Sequence, residues 1–157
     1  MTTDDSSRTD GVIGDANLLR LHRYWDAKRG SRRWPSRADI DALDIPTLLG
    51  SIILVDVFHA PLRFRYRNTG TKLVQATGYN MHGRGPEEIP DPAYRAIVLE
   101  ALTKAVEEGC PVARSGERVL NNVRMHYDAL MLPLSSDGNS VDMLIGAQVY
   151  RPAGKPD

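Results

Sequence analysis

The residues able to do chemistry are few and scattered. The histidines are His22, His59, His82 and His126, and the one cysteine is Cys110. No pair among them has helix or hairpin ligand spacing, so no metal site is expected. A single thiol also excludes an internal disulfide framework. Ser135-Ser136 lacks the Gly-x-Ser-x-Gly context of an activated serine. Gly70-Thr71-Lys72 lacks the earlier glycine of a phosphate loop. Asp56 and Asp128 interrupt apolar runs. A carboxylate buried there would have its pKa raised and could act as an acid or base, as in a small isomerase with an apolar cavity. Strand alternation supplies the plainer expectation, in which each faces outward or pairs with a cation.

Cations cluster near the start. Arg20, Arg23, Lys28, Arg29, Arg32, Arg33 and Arg37 fall in a short span with Trp25 and Trp34. Arginine forks grip phosphate and carboxylate, so Arg29, Arg32, Arg33 and Arg37 form a candidate anion patch. The plainer reading is a solvated face whose charges pair with the sheet or another subunit. Twenty Lys and Arg balance twenty Asp and Glu over the 157 residues. That balance argues against a wholly basic nucleic-acid binder.

The elements that must position these groups follow from periodicity. Residues 1–14 and 152–157 are polar and read as tails. A single domain is expected over 15–151: an N-terminal helix at 15–30, a connector with short helical turns at 31–50, and sheet and helices at 51–151. Leu18, Leu21 and Trp25 recur at i, i+3 and i+7 as one apolar stripe on the first helix. Residues 51–58 are rich in Ile, Leu and Val and read as a strand. Arg63 to Thr69 alternates, with Phe64 and Tyr66 on one face and arginines on the other. A short helix is expected at 71–77. A long one is expected at 91–108, capped by Asp91 and ended by Gly109. Strands at 117–125, 127–134 and 141–150 close the chain. Two hairpin-linked groups of strands imply an α+β fold with an antiparallel sheet whose face is covered by helices.

That order and several local strings resemble the PAS superfamily, most closely a compact bacterial subfamily first catalogued as a domain of unknown function. The resemblance is carried by Arg33-Trp34-Pro35-Ser36-Arg37-Ala38-Asp39-Ile40-Asp41 and by Phe64-Arg65-Tyr66-Arg67 leading into Gly70-Thr71, Gly78 and Gly83-Arg84. It continues in Leu132-Pro133-Leu134-Ser135 with Asp137-Gly138, and in the last strand ending at Tyr150. It covers about residues 16 to 151. It implies a five-stranded antiparallel sheet with helices over one face, enclosing a space that a small ligand or side chains fill. It also implies a role in sensing or protein contact, often as a dimer formed through an N-terminal helix.

These implications set the functional expectations. Tyr66, Leu73, Tyr94, Ile97, Ala101, Tyr127 and Met131 are the candidate pocket residues, tyrosines giving polar handles in an apolar wall. Leu18, Leu21 and Trp25 must be buried against their own sheet or another subunit, and a homodimer interface is the expectation taken forward. No cofactor is expected. In Gly78-Tyr79-Asn80-Met81-His82-Gly83-Arg84, Met81 stands where a photoactive flavin-binding PAS domain carries its cysteine. No histidine falls on the long helix, a common place for a PAS haem ligand. The N-terminus has no signal-peptide pattern, and the apolar run 52–55 is far short of the ~20 residues that span a bilayer. The reading is therefore a cytoplasmic, stand-alone, non-enzymatic module acting through a ligand or a signalling partner protein. The isomerase-like enzyme and the anion or nucleic-acid binder are its alternatives.

Overall fold

The computed structural model describes residues 9–154. Helix α1 spans Ala16–Arg29, and the Asp15 carboxylate accepts from the N–H groups of Asn17 and Leu18 at its start. Short 3-10 turns follow at Arg37–Asp39, Ala42–Asp44 and Pro46–Ser51. Strands β1 (Ile52–Phe58) and β2 (Arg63–Thr69) form a hairpin, and α2 (Thr71–Thr77) follows. Helix α3 (Pro92–Glu108) starts at an Asp91 cap and ends at Gly109, whose φ is +62°. Strands β3 (Val112–Leu120), β4 (Val123–Leu134) and β5 (Met143–Pro152) complete one sheet, ordered β2-β1-β5-β4-β3. Every pairing in it is antiparallel.

The register sorts the side chains onto two faces. Leu130 sits opposite Ala147, Leu132 opposite Ile145, and Ile145 opposite Leu54. These residues share the outer face, and all are buried. Met131, Gly146 and Ile53 line up on the inner face, toward α3. An apolar row on each face demands a cover on each. Helix α3 lies against β3 and β4 on the inner face, and α1 packs on β4 from the other side.

Two indoles fasten the N-terminal segment to that frame. Trp25 Nε1 donates to the Pro133 carbonyl at 2.7 Å, and Trp34 Nε1 donates to the Gly109 carbonyl at 2.9 Å. Ser135 N–H adds a bond to the Pro35 carbonyl at 3.0 Å. Gly109 is needed twice over. Its φ is positive, and a Cβ there would lie 2.9 Å from the Trp34 ring.

This arrangement corrects the expected dimer interface. Leu18, Leu21 and Trp25 are 1%, 0% and 0% exposed within the single chain. Within the single chain the stripe is already covered, with Trp25 bonded to β4.

Two stretches expected within the tails, 9–14 and Pro152, belong to the fold. Asp10 forms a parallel bridge to Val112 and ion pairs with Arg114 (2.7 Å) and Lys104 (3.3 Å), so 9–14 is tied to the edge of β3. β5 runs through Pro152. The rest of those tails, 1–8 and 155–157, lies outside the described residues.

The strand expected at 117–125 is also corrected. It spans a hairpin whose turn is Asn121-Asn122, with φ of +51° and +63°. Paired left-handed residues make the two-residue turn that matches strand twist, so β3 begins earlier, at Val112.

Two outcomes follow. Trp25→Ala removes a fully buried indole and its hydrogen bond and should cost about 3–5 kcal/mol in chemical denaturation; a loss under about 1 kcal/mol would detach α1 from the core. The half-buried His22 ring has its pKa lowered, chiefly by burial; Asp26 favours the charged form, and Arg29 and Arg23 oppose it. A depressed histidine stabilises the fold above its unfolded pKa of about 6.5 and loses that contribution as pH falls through its lower folded value. Melting temperature should therefore drop from pH 7 to pH 5, and His22→Gln should flatten that slope.

Candidate functional site

The inner face encloses two adjoining chambers of about 50 Å³ each, one under α3 and the other under α2 and the loop after it, room for a few waters or a small molecule. The first is lined by the candidates Tyr66, Tyr94, Ile97, Ala101, Tyr127 and Met131. Ile97, on α3, is 42% exposed and lies at its solvent side. Leu73, on α2, lines the second chamber instead, together with Tyr66 and Tyr94. Ile53, Tyr66, Tyr94 and Gln148 border both and form the partition between them.

Glycines on the strands let large side chains lie flat there. A Cβ at Gly116 would meet the Tyr127 hydroxyl at 2.8 Å, and one at Gly146 would meet Met131 Sδ at 2.3 Å. The rings of Tyr94 and Tyr127 meet edge-on with centroids 5.5 Å apart.

A polar network runs through the partition. The Tyr94 hydroxyl donates to Gln148 Oε1 at 3.0 Å and accepts from Nε2 at 2.8 Å. Gln148 Nε2 also donates to the Tyr150 hydroxyl at 3.0 Å. That hydroxyl accepts from Arg118 Nη1 at 2.8 Å, and Arg118 Nη2 donates to the Tyr79 hydroxyl at 3.1 Å. The guanidinium carbon lies 3.6 Å from the Tyr94 ring centroid, a cation–π stack. Burial raises the Tyr66, Tyr94, Tyr127 and Tyr150 phenols above their ordinary pKa, strongly at Tyr66 and Tyr94, so all stay protonated at neutral pH.

Arg118, Gln148, Tyr79 and Thr69 were missing from the expected site. The signal for Arg118 was the Asn121-Asn122 turn. Placing the hairpin there puts Arg118 two residues beyond Gly116, on the same face and in the same row as Tyr127's partner.

The candidate anion patch is not assembled. Arg29 is buried and pairs with Asp26 at 2.7 Å. Arg32 donates to the Arg29 and Lys28 carbonyls and pairs with Asp39 at 2.9 Å. Arg33 donates to the Glu108 carbonyl and stacks on Trp34, and Arg37 donates to the Ile40 carbonyl. These guanidinium groups satisfy helix-end and turn carbonyls of their own chain. No group of three or more His, Cys, Asp or Glu suited to a metal occurs among the described residues.

The two strand carboxylates face away from the chambers. Asp56 pairs with Arg67 at 2.9 Å and Arg65 at 3.4 Å on the outer face. Asp128 accepts from Ser115 Oγ at 2.6 Å and lies 3.3 Å from His126 Nε2. Cys110 is buried after α3 and lines neither chamber, whereas Met81 lines the second.

A 2-1-5-4-3 antiparallel sheet with a long helix over a partitioned, tyrosine-lined space defines an α+β sensor-type fold. The family profile described as the PAS domain matches residues 15–149, and the chain belongs to that family. Among solved structures the fold is similar to a light-oxygen-voltage (LOV) domain studied with a flavin analogue. The TM-score is 0.53 and the identity 16%, over 70% of this chain and 82% of that one. It is also similar to the LOV domain of a blue-light activated histidine kinase from Erythrobacter litoralis EL346. There the TM-score is 0.50 and the identity 20%, over 68% of this chain and 99% of that one. At such identities the likeness is one of fold. No curated protein matches the chain. No helix among the described residues is long and apolar enough to cross a membrane.

Tyr94→Phe tests the partition. It leaves Gln148 short of a buried donor and should cost about 1–3 kcal/mol. Unchanged stability in urea would show that the network does not hold the chambers apart.

Proposed function

We propose that this PAS domain is a sensory signalling module that takes up a small molecule between its sheet and α3 and passes its state to another protein by surface contact. The observation that carries this reading is the partition itself. Tyr94, Gln148 and Tyr150 hold a polar network in the middle of an apolar wall, the make-up of a small-ligand site rather than of a filled core. Membership of the PAS family supports the sensory role.

The LOV neighbours raise the question of a flavin. The residues here do not fit one. The chambers are small and divided by Tyr94 and Gln148, so a three-ring isoalloxazine would have to displace both. Adduct chemistry needs a thiol at the ring; Met81 lines the second chamber, and Cys110 lines neither. The isomerase alternative has equally little support, because Asp56 and Asp128 are engaged on the opposite face.

Ala101 of α3 faces the first chamber, and Ala101→Leu would fill it. A thermal-shift screen of metabolites should find a compound that raises the melting temperature of the wild type but not of Ala101→Leu. A screen without any hit, or a hit unaffected by Ala101→Leu, would sink the ligand-sensing role.

A further inference from the structure

Arg118 is the anomaly in the second chamber. It is 7% exposed, yet no carboxylate among the described residues pairs with it. The comparison with its neighbours is telling. Arg29, also buried, has Asp26; Arg114, lining the first chamber, has Asp10 and Glu100. Desolvating a cation without an anion costs several kcal/mol, and two phenol oxygens and an aromatic face offset only part of that.

Both unsatisfied atoms can donate. Arg118 Nε is buried and makes no hydrogen bond, and Thr69 Oγ1, lining the same chamber, is also buried and unpartnered. The Tyr79 and Tyr150 hydroxyls each accept from Arg118, which leaves their own O–H protons to give. A guanidinium edge, a threonine hydroxyl and two phenols therefore converge with a surplus of donors and a net positive charge. What that set lacks is an anionic acceptor. A planar carboxylate matches the flat edge of a guanidinium, and its two oxygens can accept from both Nε and neighbouring hydroxyls. The adjoining first chamber is apolar, walled by residues such as Val98, Leu102 and Met131.

We infer that the second chamber is a carboxylate site, in which Arg118 and Thr69 bind the head of a small organic acid whose short apolar body extends toward the first chamber. This rests on the ligand-sensing reading above and narrows its ligand to one chemical class.

The test uses sodium butyrate and sodium benzoate as probes, with butyramide and benzamide as neutral isosteres, at constant ionic strength. The readouts are the Arg118 Nε–H resonance in ¹⁵N-labelled protein and calorimetric affinity. At least one acid should shift that resonance saturably, while its amide should not. Arg118→Gln should weaken the acid at least about tenfold. Thr69→Val, which keeps the cation and the side-chain volume, should weaken it about fivefold, the equivalent of one hydrogen bond of about 1 kcal/mol. Thr69→Val and the wild-type resonance keep the test decisive if Arg118→Gln does not fold. Amides binding as well as the acids would overturn the charge assignment while leaving a ligand chamber. Acids that bind both variants as tightly as the wild type would overturn the site. No saturable shift with either acid would also overturn it, and the metabolite screen with Ala101→Leu would then judge the sensory reading separately.

Discussion

A single five-stranded sheet that is apolar on both faces cannot stand alone, and that constraint organises the rest of the chain. Leu130, Leu132 and Leu134 on the outer face are wholly inaccessible, as are Leu144 and Val55 on the inner one. Each fully buried aliphatic side chain contributes roughly 1.5–3 kcal/mol, so leaving either face bare would forfeit much of the stability of a domain this size. Helix α3 meets the demand on one side. Helix α1 and its connector meet it on the other, anchored by Trp25 to Pro133 and by Trp34 to Gly109. The connector thereby links the end of α3 to the β4–β5 hairpin across the edge of the sheet.

The two faces are filled differently, and the difference places the site. The outer face is packed with leucine and isoleucine, and its charged groups pair locally, as Asp56 does with Arg65 and Arg67. The inner face carries tyrosines, a glutamine and an arginine. Space remains between them. Gly116 and Gly146 give up their side chains so that Tyr127 and Met131 can lie across the strands. Buried polar groups on such a face must find partners inside the protein or in a ligand, which is why the tyrosine–glutamine–arginine network and the chambers coincide.

Much of the fold was legible because its signals are local. The alternation in Phe64-Arg65-Tyr66-Arg67 marks β2, and the Asp91 cap with the Gly109 stop brackets α3. The early part of β3 was not legible. Val112 to Gly116 contains small residues and a glycine that weaken the strand pattern, and that stretch is stabilised by pairing with β4, not by its own propensity. The inward tyrosines of the site could be read from alternation, since Tyr66 and Tyr127 sit in strands with a clear period. Arg118 was missed because its face follows only once the turn is placed at Asn121-Asn122.

By itself, then, the sequence determined the element types, their order and the residues that must be buried, since capping, turn chemistry and hydrophobic period act within a few residues of one another. Only the tertiary structure decided where each apolar stripe goes. Leu18, Leu21 and Trp25 read the same whether they meet a partner or the chain's own sheet, and only the folded chain shows them buried within itself. Only the tertiary structure, too, decided which charges are answered. Arg29 and Arg118 are alike as letters, but one lies a helical turn from Asp26 and the other is carried by a tight hairpin into a chamber whose phenols, Tyr150 and Tyr79, lie 32 and 39 residues away along the chain. Pairing between strands distant in sequence sets that neighbourhood, and no local pattern encodes it.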